Sequence, residues 1–305
     1  MNEISVPTVS VILPTHNRAA LLKRSIKSIL NQTYKDFELI VIDDASTDDT
    51  EDVVRNFGDK RIRYIKQRVN MGAQVARNAG ITASKGKYIA FQDDDDEWLP
   101  AKLEKHMKVF EETSPEADIS FSDVLWFGKG SSELRHFPDI TPADGIIYKK
   151  ALDNIFRDLS LLAIVVRKKV FDAAGGFDER LPRWQDYEFL LRASKYALFY
   201  HMDEPTIKCY QTPGSISSNR DNLIIARKII VEKYYDDYIR FGKRAALADH
   251  LYRGIGHPLC QKGEMKEGRR YILQAVKVCP WFVKAITALP VMFFNADIYN
   301  RFHKF

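Results

Sequence analysis

The chain has 305 residues, 45% apolar, 29% charged and 12% aromatic, with a formal net charge of +5. That balance supports a large hydrophobic core and excludes a disordered or collagen-like chain. Three scattered cysteines (Cys209, Cys260, Cys279) with no CxxC pair argue against a disulfide framework or a zinc-cysteine site and fit a reducing compartment. No basic-then-apolar leader opens the sequence and no apolar run reaches ~18 residues, so neither a secretory signal nor a transmembrane helix is expected.

In chain order, "TVSVILP" (8–14) reads as a mostly β-branched strand stopped by Pro14. "ALLKRSIKSILNQ" (20–32) places Leu22, Ile26, Ile29 and Leu30 at helical spacing. "FELIVID" (37–43) is a second buried strand, and "STDDTEDVVRNFG" opens on a capping signal at Ser46 or Thr47 and stops at Gly58. A third strand (61–67), a small-residue helix (72–84) and a fourth strand (87–92) follow. Strand–helix alternation at this rhythm predicts right-handed crossovers and a doubly wound, mostly parallel sheet.

The middle predicts a helix (101–112), a strand (117–127) and a Gly/Ser/Pro-bearing loop (128–147) suited to acceptor binding or movement. A strand and short helix then end at Gly175-Gly176, and a helix spans 185–196. From about Asp221 the pattern turns helical: 222–241, then two more helices. Their glycine spacing fits either one tetratricopeptide-like pair or two plain amphipathic helices.

In a doubly wound sheet, ligands bind outside the carboxyl ends of the strands. That rule places "PTHNR" (14–18), "DDAS" (43–46), "QRVNMG" (67–72) and "QDDDD" (92–96) on one rim. Asp93, Asp94, Asp95 and Asp96 directly follow an apolar run. Two such charges ~5 Å apart repel by roughly 3 kcal/mol at an effective dielectric of about 20. Mg2+ or Mn2+, held by one or two carboxylates and substrate phosphates, would offset this; capping of the next helix accounts for one or two of the acids. Asp44 is either a cap or an acceptor for an imide N–H such as uracil's. Arg77, two helical turns after Asn70, suits a diphosphate through bidentate hydrogen bonds or makes a surface ion pair.

Taken together, "VSVILPTHNR", "ELIVIDDASTDDT", "NMGAQVARNAGI", "GKYIAFQDDDDEWLPAKL" and "GGFDERLPRWQDYEFLLR" resemble the motif series of family-2 glycosyltransferases. Those are inverting, nucleotide-sugar-dependent enzymes of GT-A fold, many of which build bacterial surface polysaccharides. The resemblance covers residues 8–218. It implies that Pro14, Thr15 and Asn17 form the first nucleotide-contacting loop, that Asp44 reads the base, and that Asn70 and Arg77 contact nucleotide and phosphate. Asp93 matches the first acid of the DxD motif, near the ribose; Asp94 takes its variable middle position, and Asp95 binds the metal. Asp96 matches an extra acid that serves as helix cap. Asp186 matches the catalytic base, and it also suits the N-cap of its helix. Trp184 and Gln185 would floor the acceptor site by stacking and hydrogen bonding, with core packing the other role for Trp184. Two positions depart from the pattern: Gln185 stands where many relatives have Glu, and Thr212 where many have a histidine near the metal. His201 is expected at an ordinary strand position.

These motifs imply a catalytic domain over 1–218, nucleotide-binding to about 97 and acceptor-binding from 98, followed by a helical region over 219–305. The implied reaction is inverting transfer of a sugar from a nucleotide-diphosphate donor to a glycan or lipid-linked acceptor; Asp44 suggests a UDP-linked donor, thymidine sharing the same imide edge and other bases staying open. A non-catalytic sugar-nucleotide binder on the same scaffold is the rival reading. A nucleotidylyltransferase lacks support, because the first strand has no Gly-rich loop after it; a haloacid-dehalogenase-like phosphatase would carry its acids after that first strand. The last 86 residues hold twice as many Lys and Arg as Asp and Glu, and with the aromatic tail "CPWFVKAITALPVMFFNADIYNRFHKF" this suggests an anionic membrane surface. Packing on the catalytic domain or in a homo-oligomer is the other use of that tail. A nucleic-acid partner finds only the basic tail in its favour and is not expected. The expected location is cytoplasmic, with peripheral contact at the inner face of the membrane.

Overall fold

A computed structural model describes residues 6–128, 130–137, 147–157, 159–211, 220–282 and 299. Its first half follows the expected order: β1 (Val9–Thr15), α1 (Ala19–Leu30), β2 (Phe37–Asp43), α2 (Thr50–Arg55), β3 (Ile62–Lys66), α3 (Ala73–Ala83) and β4 (Tyr88–Phe91). β1, β2 and β4 are buried along their whole length, as strands covered on both faces must be. They pair in parallel in the order β3-β2-β1-β4, with Val9 opposite both Phe37 and Tyr88.

The small residues of α3 have a clear purpose. Ala76, Ala79 and Ala83 pack with Ile40, Ile42 and Ile65. Gly80 lies so close to β1 that a Cβ there would come within 2.4 Å of Ile12 Cγ2. A helix of larger residues would stand farther off the sheet and carry Arg77 with it.

The second half is mixed. It contains β5 (Glu97–Trp98), α4 (Lys102–Lys108) continued by a π turn (Val109–Thr113), β6 (Ile119–Gly128), β7 (Ser131–Arg135) and one turn of helix, α5 (Tyr148–Ala151). β8 (Ile164–Arg167), α6 (Lys169–Ala174), α7 (Gln185–Ala193) and β9 (Phe199–Tyr210) complete it. The sheet runs on from β4 as β8-β6-β9-β5, with β7 on β6. β4–β8, β6–β8, β6–β7 and β5–β9 are antiparallel, and β6–β9 is parallel.

The expected loop at 128–147 needs correction at its start. Residues 131–135 form a strand hairpinned to β6 through Gly130, whose φ is 80°. Every residue of β7 is exposed, so its sequence carries no hydrophobic alternation to announce it. Residues 138–146 of that loop lie outside the described residues, as does Thr212.

Beneath β6 and β9, α4 buries a polar network. Lys102 Nζ lies 3.2 Å from His106 Nε2 and 3.4 Å from Thr206 Oγ1, and His106 Nδ1 is 3.0 Å from Ser120 Oγ. Burial pushes the Lys102 ammonium down to about 7 and His106 well below its usual range. Because the folded lysine binds its proton more weakly than the unfolded one, the unfolded chain carries the extra proton between pH ~7 and ~10.4. The Lys102 share of the folding stability therefore rises with pH through that window and is flat below it. Lys102→Met is expected to stabilise the protein at pH 7 and to remove this share of the rise. Urea unfolding of both proteins at pH 7 and pH 9.5 checks it, and a parallel pH dependence in the two would contradict it.

The chain divides into two compact units. One comprises Met1–Tyr148, Phe156–Glu179 and Gln185–Ser215; the other comprises Lys149–Ile155, Arg180–Trp184 and Ile216–Phe305. The second unit holds α8 (Arg220–Arg240), then a continuous run of α9 (Arg244–Asp249), a π turn (His250–Gly256) and α10 (His257–Gln261), then α11 (Met265–Val278). After Gly263, at φ 92°, α11 packs back on that run; a Cβ on Gly268 would meet the Gly256 carbonyl oxygen at 2.8 Å. Small residues at 256 and 268 thus set the close approach of the two helices. The buried imidazole of His250 is held through Nε2 by Tyr238 Oη (3.1 Å) and Asn154 Oδ1 (2.9 Å). No helix among the described residues is long and apolar enough to cross a membrane. Trp281 is 70% exposed, and the aromatic tail over 283–298 lies outside the described residues.

Candidate active site

The four rim segments do meet, at the carboxyl ends of β1 to β4. Asp44 N–H donates to the Thr15 carbonyl (2.9 Å) and Gln67 N–H to the Asp43 carbonyl (2.8 Å), extending the sheet ladder into the loops. Asn17, at φ 52°, donates its N–H to Ser46 Oγ (2.9 Å), and its Oδ1 accepts from Thr47 N (2.7 Å). The Asp44 carboxylate accepts Met71 N–H (2.8 Å) and Gly72 N–H (2.7 Å), holding the loop that opens α3. Each carboxylate oxygen can accept a further bond, so this engagement leaves Asp44 acceptor capacity. Asp43, fully buried, accepts from Ser46 N (2.7 Å) and from the Tyr64 hydroxyl. Pro14 is buried in β1, and Asn70 is exposed on the β3–α3 loop.

The acidic quartet is not uniform. Asp94 is buried; it accepts Thr15 Oγ1 (2.8 Å) and Arg18 Nη1 (3.1 Å), and burial raises its pKa to about 6. Asp96 is buried against Tyr210 N–H (2.7 Å), and burial together with the Asp93 charge raises it to about 8. These two acids are structural anchors, one on β1 and one on β9. Asp93 and Asp95 are the more open pair, at 36% and 14% side-chain exposure. Arg77 Nη2 donates to Asp93 Oδ1 (2.7 Å), and Arg18 Nη1 donates to Asp95 Oδ2 (2.8 Å). Ser25 Oγ donates to the Asp93 carbonyl (2.9 Å) and Arg24 to that of Asp95, so α1 clamps the turn. Two arginines thus already gather on the carboxylates, as expected where like charges are crowded together.

Asp186 opens α7 and accepts the N–H of Tyr187 (2.8 Å). Burial raises its pKa, while the charge of Arg77 opposes and that of Asp93 adds to the rise. The side chain on α7 is therefore within electrostatic reach of the groups at the end of β4. Gln185 Nε2 lies 3.4 Å from Gln74 Oε1 on α3. Asn78, also on α3, donates to the Phe177 carbonyl (3.0 Å) and to Glu179 Oε1 (2.9 Å), joining α3 to the segment before α7. Trp184, at φ 66°, belongs to the second unit, where the Arg227 guanidinium lies 4.7 Å from its ring centroid and His250 meets it edge-on at 6.0 Å.

Residues 10–172 match the family model described as glycosyl transferase family 2. The chain belongs to glycosyltransferase family 2. An uncharacterised glycosyltransferase of Methanocaldococcus jannaschii is 32% identical over 244 residues, 78% of this chain and 80% of the relative. A Campylobacter jejuni GalNAc(5)-diNAcBac-PP-undecaprenol beta-1,3-glucosyltransferase is 45% identical over 106 residues, 34% of each chain. The fold of this family-2 glycosyltransferase is similar to that of S. aureus TarS crystallised with UDP-GlcNAc, at TM-score 0.69 and 21% identity over 96% of this chain and 89% of the other. It is a GT-A fold.

Sequence reasoning about the glycosyltransferase had no role for Arg18 or Arg24. Arg18 ends "PTHNR" and so was legible as a rim residue, but its reach to Asp94 and Asp95 depends on how α1 leaves β1. Gln92 was also missed. Its amide is fully buried beside Asp93 and has no hydrogen-bond partner among the described residues.

Proposed function

We propose that this glycosyltransferase moves a sugar, with inversion, from a nucleotide-diphosphate donor to an acceptor hydroxyl in the synthesis of cell-surface polysaccharide or lipid-linked glycan. The observation that carries the reading is the Arg77–Asp93 ion pair (2.7 Å) just past the end of β4, whose charges act on Asp186 in the first turn of α7.

In this reading the donor lies along the rim. Asp44 accepts the imide N–H of a uracil while its backbone contacts hold the loop; Pro14, Thr15, Asn17 and Asn70 bound the nucleoside, with Asp93 and Asp94 beneath the ribose. Arg77 turns its donors to the diphosphate; its Nε is buried and without an acceptor among the described residues, so donor capacity remains. The oxygen-only ligand set of the quartet fits a hard cation, Mn2+ or Mg2+, with Asp95 as its protein ligand. Such an ion, when bound, neutralises charge on the departing diphosphate. Asp186 takes the proton from the acceptor hydroxyl as that oxygen attacks the anomeric carbon from the face opposite the diphosphate. The C–O bond to the sugar forms as the bond to the diphosphate breaks, and a single displacement inverts the centre. Gln185 and Trp184 orient the acceptor.

A lipid-linked acceptor is supported by the name of the Campylobacter relative, and a UDP donor by the ligand of TarS. The reading places the protein in the cytoplasm, with the basic C-terminal region toward the membrane surface. A coupled assay of nucleotide diphosphate release over a panel of UDP-, dTDP- and GDP-sugars with Mn2+ and polyprenyl-linked acceptors tests it. Release of UDP from at least one donor is expected; donor binding without release would establish the non-catalytic alternative.

A further inference from the structure

A second set of ligand-type side chains shares no residue with the acidic quartet. Asp123 comes from β6, His136 directly follows β7, and His201 and Asp203 come from β9. The β6–β9 pairing shifts register here: Ser122 faces Met202, but Asp123 faces Pro205. The two residues passed over, Asp203 and Glu204, form a bulge, which bends a strand and re-aims its side chains. His136 and Asp203 are brought to Asp123 from its two neighbouring strands.

Asp123 is fully buried and its two oxygens have different surroundings. Oδ1 accepts Phe137 N–H (3.0 Å) and faces His201 Nε2 (2.9 Å). Oδ2 lies 2.6 Å from His136 Nδ1, which is itself 3.6 Å from Asp203 Oδ1. One ligand atom from each of Asp123, His136 and Asp203 lies within 4.8 Å of the others. Bonds of about 2.0–2.1 Å in a tetrahedral site separate ligand atoms by about 3.3 Å, a value inside the observed spacing. The His136 and Asp203 side chains are 62% and 85% exposed, so an ion can arrive from solvent and these ligands can adjust. Asp123 is the fixed member, and His201 orients it, as hydrogen-bonded outer partners orient metal-binding carboxylates.

We propose that Asp123, His136 and Asp203 form a binding site for a borderline divalent cation of the zinc type, which pins the β6–β7 hairpin to β9. Mixed imidazole and carboxylate ligation favours such an ion over Mg2+, whereas the all-oxygen quartet favours the hard cation. The two sites therefore differ in metal preference as well as in residues.

The test uses full-length Asp95→Asn protein, which silences the quartet's metal ligand and leaves this cluster intact. Titration with Co2+ is expected to give one equivalent of visible absorption typical of low coordination number, displaced by Zn2+, and Zn2+ is expected to raise Tm. His136→Ala added to this background abolishes both signals, and Asp203→Asn weakens Co2+ binding by about tenfold or more. His136 is largely exposed, so its loss leaves the fold intact, which far-UV circular dichroism verifies. Failure of the Asp95→Asn protein to bind Co2+, or binding indifferent to His136→Ala, overturns the proposal and identifies the cluster as a hydrogen-bonded carboxylate–imidazole network. Neither result touches the transferase reading, because no donor enters the measurement.

Discussion

Asp186→Asn is expected to lower turnover by roughly 10²–10⁴-fold, the usual contribution of a positioned general base, while leaving donor affinity unchanged. The substitution removes the charge but keeps an oxygen for the Tyr187 N–H, so the first turn of α7 retains its capping contact. Burial has already raised the Asp186 pKa, with Asp93 adding to the rise and Arg77 resisting it. A base with a raised pKa is nearer the operating pH and a stronger proton acceptor. The sign of the pH effect follows: the base is active when ionised, so kcat falls as pH drops through the raised pKa, at higher pH than for an ordinary carboxylate. Asp186→Asn should abolish that acid limb along with the rate. Steady-state kinetics over pH, with donor binding by calorimetry, separates the outcomes. Equal loss of donor affinity and turnover would assign Asp186 to donor binding instead.

The second large effect concerns the open acids and the arginine now lying on them. Asp95→Ala is expected to eliminate the Mn2+-dependent part of donor affinity. Arg18→Ala is expected to act in the opposite direction on the ion itself, tightening Mn2+ binding in the absence of donor by about tenfold, or ~1.4 kcal/mol. Arg18 Nη1 sits 3.1 Å from Asp94 and 2.8 Å from Asp95, where its single charge competes with a divalent one. Paramagnetic resonance of free Mn2+ during titration measures both variants directly. Unchanged donor affinity in Asp95→Ala would remove the metal from Asp95, and weaker Mn2+ binding in Arg18→Ala would make the arginine a support for the site, not a competitor.

The two proposed metal sites also explain each other's composition. Among the described residues the acids gathered at Asp95 are the carboxylates of the quartet, and the arginine paired with it cannot itself coordinate an ion. Around Asp123 the neighbours are imidazoles, which either hydrogen-bond a buried carboxylate or join it on an ion. In the two proposals metal choice at each place follows nitrogen content, and both are open to titration in one protein.

The sequence by itself determined the β1–β4 half and the rim. Short, β-branched apolar runs alternating with helical periods read as strands covered on both faces, and polar clusters after each such run then fall at the sheet's carboxyl edge. The acid quartet and Asp44 were legible as rim residues for that reason, whereas Arg77 lies inside α3 and Asp186 was singled out only through the motif resemblance. Only the tertiary structure decided the second half of the sheet. β7 is all exposed, β5 is two residues long, and β9 is broken by Asp203, Glu204 and Pro205 at a bulge, so none carries a clean period of two. Likewise it took three dimensions to divide the quartet into buried anchors (Asp94, Asp96) and open acids (Asp93, Asp95), and to bring Asp123, His136 and Asp203 together. Adjacent letters in a sequence look alike; burial, which depends on what the rest of the chain packs against them, makes their chemistry differ.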